Sequence, residues 1–148
     1  MDIRSGCGYP ASKLSNFTPH KFEIDGVKCN SMEGFLQSLK FKDINMQKYV
    51  CGLTGKAAKF KGKPKKWWIT QTLWWKGIEI DRHSKEYQEL LDRAYSALFN
   101  NEKFKKALMA TQNANLTHYI GKRDASHTIL TTKEFCGRLM KLRDEGKL

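Results

Sequence analysis

The chain has 148 residues, 40% apolar and 28% charged, the make-up of one globular domain large enough to bury a core. Its 27 Lys and Arg outnumber 15 Asp and Glu, which leaves a formal charge of +12 and a surface that attracts polyanions. No apolar run approaches the roughly 20 residues of a membrane-spanning helix. The opening Met1-Asp2-Ile3-Arg4-Ser5 lacks the basic-then-apolar pattern of a secretory signal, so a cytoplasmic location is expected.

Residues 1 to 14 are irregular, because Gly6, Gly8 and Pro10 break any period. After Ser15-Asn16-Phe17, the segments Lys21-Phe22-Glu23-Ile24 and Val27-Lys28-Cys29 flank Asp25-Gly26. Asp-Gly between alternating segments predicts a two-residue hairpin turn, since both residues tolerate positive φ. Asn30 is then placed to cap a helix with Glu33 at its third position, and Met32, Phe35, Leu36 and Leu39 form its apolar face. Seven helical positions turn through about 700°, so Glu33 and Lys40 would point the same way, roughly 10 Å apart along the axis, with Gln37 between them. A carboxylate, an amide and an amine would line one polar groove suited to a small polar ligand.

Helical stretches are expected over about 43–51 and 54–61, while 67–80 suits strand, packed turn or helix equally. The tract KAAKFKGKPKK (56–66) holds six lysines and no acid, and the pairs Trp67-Trp68 and Trp74-Trp75 follow. Lysines beside aromatics can grip phosphate and stack bases; the alternative is a solvated lysine loop beside core tryptophans. The clearest helix runs from about Lys85 to Phe99 with Ser84 as N-cap, its stripe made by Tyr87, Leu90, Leu91, Ala94, Tyr95, Leu98 and Phe99. Asn101 caps a helix over about 102–111, and 112–130 reads as loop with room for a short strand. Thr131-x-x-Glu134 opens the last helix with a capping box, Phe135, Leu139 and Leu142 supply its apolar face, and Gly146 ends it. The four cysteines form no C-x-x-C pair and the four histidines do not cluster, so free thiols and no metal site are expected. The expected architecture is α+β, mainly helical, in one compact domain over 1–148 with a small antiparallel β element.

The motif order resembles the NADAR family, the YbiA-like proteins. Leu14-Ser15-Asn16-Phe17, then Asp25-Gly26, then Glu33-x3-Gln37-x2-Lys40-Phe41 is similar to the family's LSNF segment, D-G turn and E-H-x-x-Q-x-x-K-F helix. Gly55-Lys56-Ala57-Ala58-Lys59-Phe60-Lys61-Gly62 resembles its A-K-x-x-G segment, Phe104 to Thr111 its L-L-x-T-G helix end, and Cys136 to Arg143 its closing L-G-x-x-L-M-x-x-R. Two features depart from the pattern. Gly34 replaces the family's His after the motif Glu, and no D-x-x-W-G segment stands in 118–130, where Asp124 is the counterpart of its Asp.

The resemblance implies a YbiA-like fold and hydrolysis of the bond between ribose C1′ and nitrogen, in ADP-ribose conjugates or phosphorylated N-ribosides. Loss of a nitrogen base leaves an oxocarbenium-like ribose that a carboxylate stabilises. Glu33 is the candidate for that carboxylate or for the base activating water, with Asp124 as a further acid. Lys40 is the candidate amine, able to form a Schiff base with ring-opened ribose when its pKa is depressed. Ser15, Asn16 and Gln37 would hydrogen-bond ribose or base, and Phe17 or Trp67 would stack. The 56–66 lysines, Arg82 or Arg143 would meet phosphate. No cofactor is implied, and the expected partner is a nucleotide-like small molecule or ADP-ribosylated nucleic acid, with no membrane. Two other readings stay open: a non-catalytic ADP-ribose or nucleotide-binding module, and a small basic nucleic-acid-binding protein using the Lys–Trp tract. Glu33 as a simple helix cap, Phe17 as a core residue and Arg143 as a helix-end ion pair stay open beside them.

Overall fold

The computed structural model describes residues 1–147, which form seven α-helices, a 3-10 turn at Trp67–Ile69 and two antiparallel hairpins. In chain order these are α1 (Ala11–Leu14), β1 (Phe22–Ile24), β2 (Val27–Cys29), α2 (Met32–Ser38), α3 (Ile44–Cys51), α4 (Gly55–Gly62), β3 (Thr72–Trp75), β4 (Ile78–Asp81), α5 (Lys85–Phe99), α6 (Glu102–Ala110) and α7 (Thr132–Gly146). The α+β, mainly helical architecture matches the sequence expectation. No described helix is long and apolar enough to cross a membrane.

Helix α5 is the centre of the molecule. Ser84 caps it by accepting from the Tyr87 amide, and Tyr87, Leu90, Leu91, Ala94, Tyr95 and Leu98 are all buried. Each apolar side chain taken fully out of water contributes about 1.5–3 kcal/mol, so this stripe drives the packing of α5 against α6, α7 and β1. The β1–β2 turn has the expected geometry, with Asp25 at φ 50° and Gly26 at φ 81°. Asp25 also ties the hairpin down: its carboxylate accepts from Trp75 Nε1 at 2.8 Å and from Arg93 Nη2 at 3.0 Å.

The ambiguous tract resolves into the 3-10 turn and a second hairpin. Its turn is Lys76-Gly77, with φ 53° and 82°. Of the four tryptophans only Trp75 is buried; Trp67 and Trp74 are half-buried and Trp68 is exposed.

Two expectations about α2 are corrected. The cap is Ser31, whose hydroxyl accepts from the Gly34 amide at 3.0 Å; Asn30 instead donates to the Gly52 carbonyl. The helix also stops at Ser38, so Lys40 lies beyond its last turn. The cause is tertiary. Buried Gln47 donates to the carbonyls of Ser38 and Trp74, and the Trp74 amide donates to the Leu39 carbonyl, so these groups close the end of α2.

The structure also explains Gly34. A Cβ there would lie 2.5 Å from the Leu53 carbonyl oxygen and 2.9 Å from that of Val50. Helix α2 packs its backbone directly onto the end of α3, and no side chain fits between them.

Candidate functional site

A cavity of about 590 Å3 opens where α2 meets the 15–17 segment, α4, the N-terminal residues 4–6 and the 118–122 loop. This size suits a nucleotide-like ligand. Phe135 and the stretch 128–130 close its apolar side.

Helix α2 supplies the floor, with Glu33, Leu36 and Gln37. Glu33 is the only acidic residue among the described lining residues. Its carboxylate accepts from Gln37 Nε2 at 2.8 Å, and its backbone amide donates to the Asn16 carbonyl at 2.9 Å. Burial holds the Glu33 carboxyl above the usual carboxylate range, opposed by the Gln37 hydrogen bond and by the charges of Lys40, Lys59 and His118. Gln37 is itself buried, and its Oε1 has no partner. That oxygen lies where a Cβ on Gly62 would come within 1.9 Å, so glycine at 62 makes the room the amide needs.

The segment before the hairpin forms one wall. Ser15 Oγ accepts from the Phe17 amide at 3.2 Å, which closes a turn and sets Asn16 at the cavity. Asn16 Oδ1 accepts from the Tyr95 hydroxyl at 3.0 Å. That bond fixes the amide orientation and leaves the Asn16 NH2 as a donor for the cavity. Phe17 lines the cavity with the Lys59 ammonium 6.0 Å from its ring centre.

The opposite rim is basic. Arg4, Lys59 and Lys122 line the cavity beside His118. His118 Nδ1 is 2.7 Å from the Ile3 carbonyl. A carbonyl only accepts, so Nδ1 carries the proton. The His118 ring packs edge-on against Phe135 at 5.4 Å.

The structure therefore brings together Ser15, Asn16, Phe17, Glu33 and Gln37. Lys40 is half-buried just outside the lining, close enough to feel Glu33 and Lys122; burial depresses its pKa, the Glu33 charge opposes that and the Lys122 charge adds to it. Four other candidates stand apart. Arg82 is buried in a two-pronged pair with Glu134 (3.0 and 2.6 Å) and donates to the Thr128 carbonyl. Arg143 is buried and bonds Thr111, the Ala114 carbonyl and Asp144, tying the end of α7 to the loop after α6. Trp67 packs partly buried against the core outside the cavity lining. Asp124 is exposed and bonds the Ser126 amide within its own loop.

Sequence reasoning missed Arg4, Lys122, His118 and Tyr95. The first three come from segments without periodicity. Tyr95 carried a signal: a hydroxyl on an otherwise apolar stripe needs a buried partner. Among the described residues no group of three or more His, Cys, Asp or Glu gathers to hold a metal, and the four cysteines are free thiols.

The profile of the family described as Bacteriophage protein GP30.3 matches residues 8–144. An uncharacterized 17.1 kDa protein in the Gp30-rIII intergenic region of enterobacteria phage T4 is 37% identical over 147 residues, 97% of each chain. In three dimensions the chain is similar to the NMR structure of the E. coli protein YbiA, with a TM-score of 0.66 and 17% identity, covering 99% of this chain and 84% of that one. At that identity the likeness speaks for the fold. On these matches the chain belongs to the bacteriophage protein GP30.3 family and has a YbiA-like fold.

Proposed function

We propose that the chain is an N-glycosidase that cleaves the bond between ribose C1′ and nitrogen in phosphate-bearing N-ribosides, ADP-ribose conjugates among them. One observation carries the reading: a lone carboxylate, Glu33, lies on the floor of a nucleotide-sized cavity rimmed by Arg4, Lys59 and Lys122. The basic rim suits a phosphate. The carboxylate suits the cationic sugar that forms as the base departs, and a low-dielectric floor strengthens that interaction. The same burial raises the proton affinity of the Glu33 carboxylate, so in its ionised form it can also take a proton from an attacking water. Asn16 and Gln37 hold the acid and ribose in place. Lys40 lies just outside the lining with its pKa depressed by burial; attack of its amine on C1′ would expel the base, and ring opening would then leave the ribose on Lys40 as a Schiff base.

The reading is tested with ADP-ribosylated guanosine and phosphorylated aminopyrimidine ribosides, by mass-spectrometric detection of free base. Release with one of these substrates is expected from the wild type.

A second reading has its own observation. Position 34 faces backbone carbonyls at 2.5–3.0 Å, so no side chain can follow Glu33 as the family's His does, and Asp124 lies outside the cavity. A binding module for ADP-ribose or a nucleotide would need neither. Saturable binding of ADP-ribose without free-base release from any substrate would select it.

A further inference from the structure

Charge is concentrated in one part of the chain. Residues 40 to 76 hold ten lysines and a single acid, Asp43, and so carry nine of the twelve net positive charges. Among the described residues none of these ten lysines lies within ion-pair distance of a carboxylate. Leaving so many cations uncompensated on one surface costs self-repulsion, which an anionic partner relieves.

Aromatic rings lie between these lysines. The Lys61 ammonium is 5.7 Å from the centre of the Tyr49 ring, joining α4 to α3. Lys65 lies over Phe41 at 4.9 Å and Lys42 over Trp74 at 5.2 Å, continuing the surface toward the β3–β4 hairpin. At the other end Lys59 reaches Phe17 and lines the cavity, so the basic surface runs into its mouth. Tyr49 is 58% exposed, Phe60 60% and Trp68 48%. Exposed flat rings among free ammonium groups suit unpaired bases on a phosphate backbone; a duplex hides its base faces, and an acidic peptide has none.

We propose that the surface of α3, α4 and the 3-10 turn binds single-stranded nucleic acid and leads it to the mouth of the cavity. This goes beyond the glycosidase reading and does not need Glu33. The test is fluorescence anisotropy of the whole protein with a labelled 20-nucleotide single strand, the matching duplex and an acidic peptide, between 50 and 200 mM salt.

Three results are expected. The single strand binds more tightly than duplex or peptide. Replacing Lys61, Lys63, Lys65 and Lys66 together by Gln weakens binding at least tenfold and flattens the log K against log salt slope by about 0.7 for each phosphate no longer neutralised. Tyr49→Ala combined with Phe60→Ala weakens single-strand binding at least fivefold and leaves the salt slope unchanged. All six side chains are exposed, so these variants keep the wild-type far-UV circular dichroism spectrum. Unchanged affinity in the aromatic variant, or equal affinity for duplex or peptide, would overturn the proposal. Glu33→Gln is expected to keep single-strand affinity whatever it does to turnover, which separates this surface from the chemistry of the cavity.

Discussion

The molecule holds two half-buried glutamates on helices, each with a glutamine beside it, in opposite electrostatic states. At the start of α7, Glu134 accepts from the Thr131 amide, Gln88 Nε2 and both prongs of Arg82. These bonds outweigh burial and hold its carboxyl below the usual range. On α2, Glu33 has one glutamine bond, no cation within ion-pair distance among the described residues, and a carboxyl pushed up by burial. Its glutamine even leaves an oxygen unpartnered. The same residue types serve structure where the charge is paired and remain poised where it is not. Uncompensated buried charge is costly, and here it lies on the floor of a cavity of nucleotide size.

Breaking the paired region should cost most. Arg82→Ala leaves Glu134 half-buried without its cation, and a loss of about 3–5 kcal/mol in urea unfolding is expected. A loss near zero would show that the pair contributes nothing beyond the capping box.

Next comes the support under Glu33. Gly34→Ala forces a Cβ into the Leu53 and Val50 carbonyls, which are backbone and cannot swing aside. The expected loss is about 1–3 kcal/mol, measured the same way. An unchanged midpoint would mean that α2 can lift off α3.

Tyr95→Phe removes only the hydroxyl that holds Asn16. About 1 kcal/mol of stability should go, with weaker ADP-ribose binding by calorimetry, while the far-UV spectrum stays unchanged.

The smallest stability effect is the most diagnostic. A carboxyl whose folded pKa is raised favours the fold below its unfolded value, near 4.5, and that contribution is lost as pH rises through the folded pKa. Glu33→Gln therefore should stabilise the protein at pH 7, by about 1 kcal/mol or less. The gain should vanish as pH falls below about 4.5, where the wild-type acid is neutral too. Glu134 carries the opposite sign: its stabilisation is present above the unfolded value and lost as pH falls through the folded one.

Local chemistry made much of this architecture legible. The Asp25-Gly26 turn, the α5 stripe and the Thr131–Glu134 box each sit within a few residues, and each formed as expected. What failed was set at a distance. Lys76 at positive φ has no propensity that marks a turn, so the second hairpin stayed hidden. The early stop of α2 depends on Gln47 and Trp74, well downstream of Ser38. Arg82 and Arg143 looked free for phosphate because the partners that engage them, Glu134 and Thr111, are 52 and 32 residues away. In the cavity, Ser15, Asn16, Glu33 and Gln37 were readable as a motif, while Lys122 and His118 arrive from an aperiodic loop.

The central claim concerns Glu33, and the most direct test compares free-base release from a phosphorylated N-riboside by wild type and Glu33→Gln at matched ligand occupancy. The account predicts release by the wild type and at least a hundredfold loss in the variant, with ligand still bound. Equal release from both proteins would contradict it.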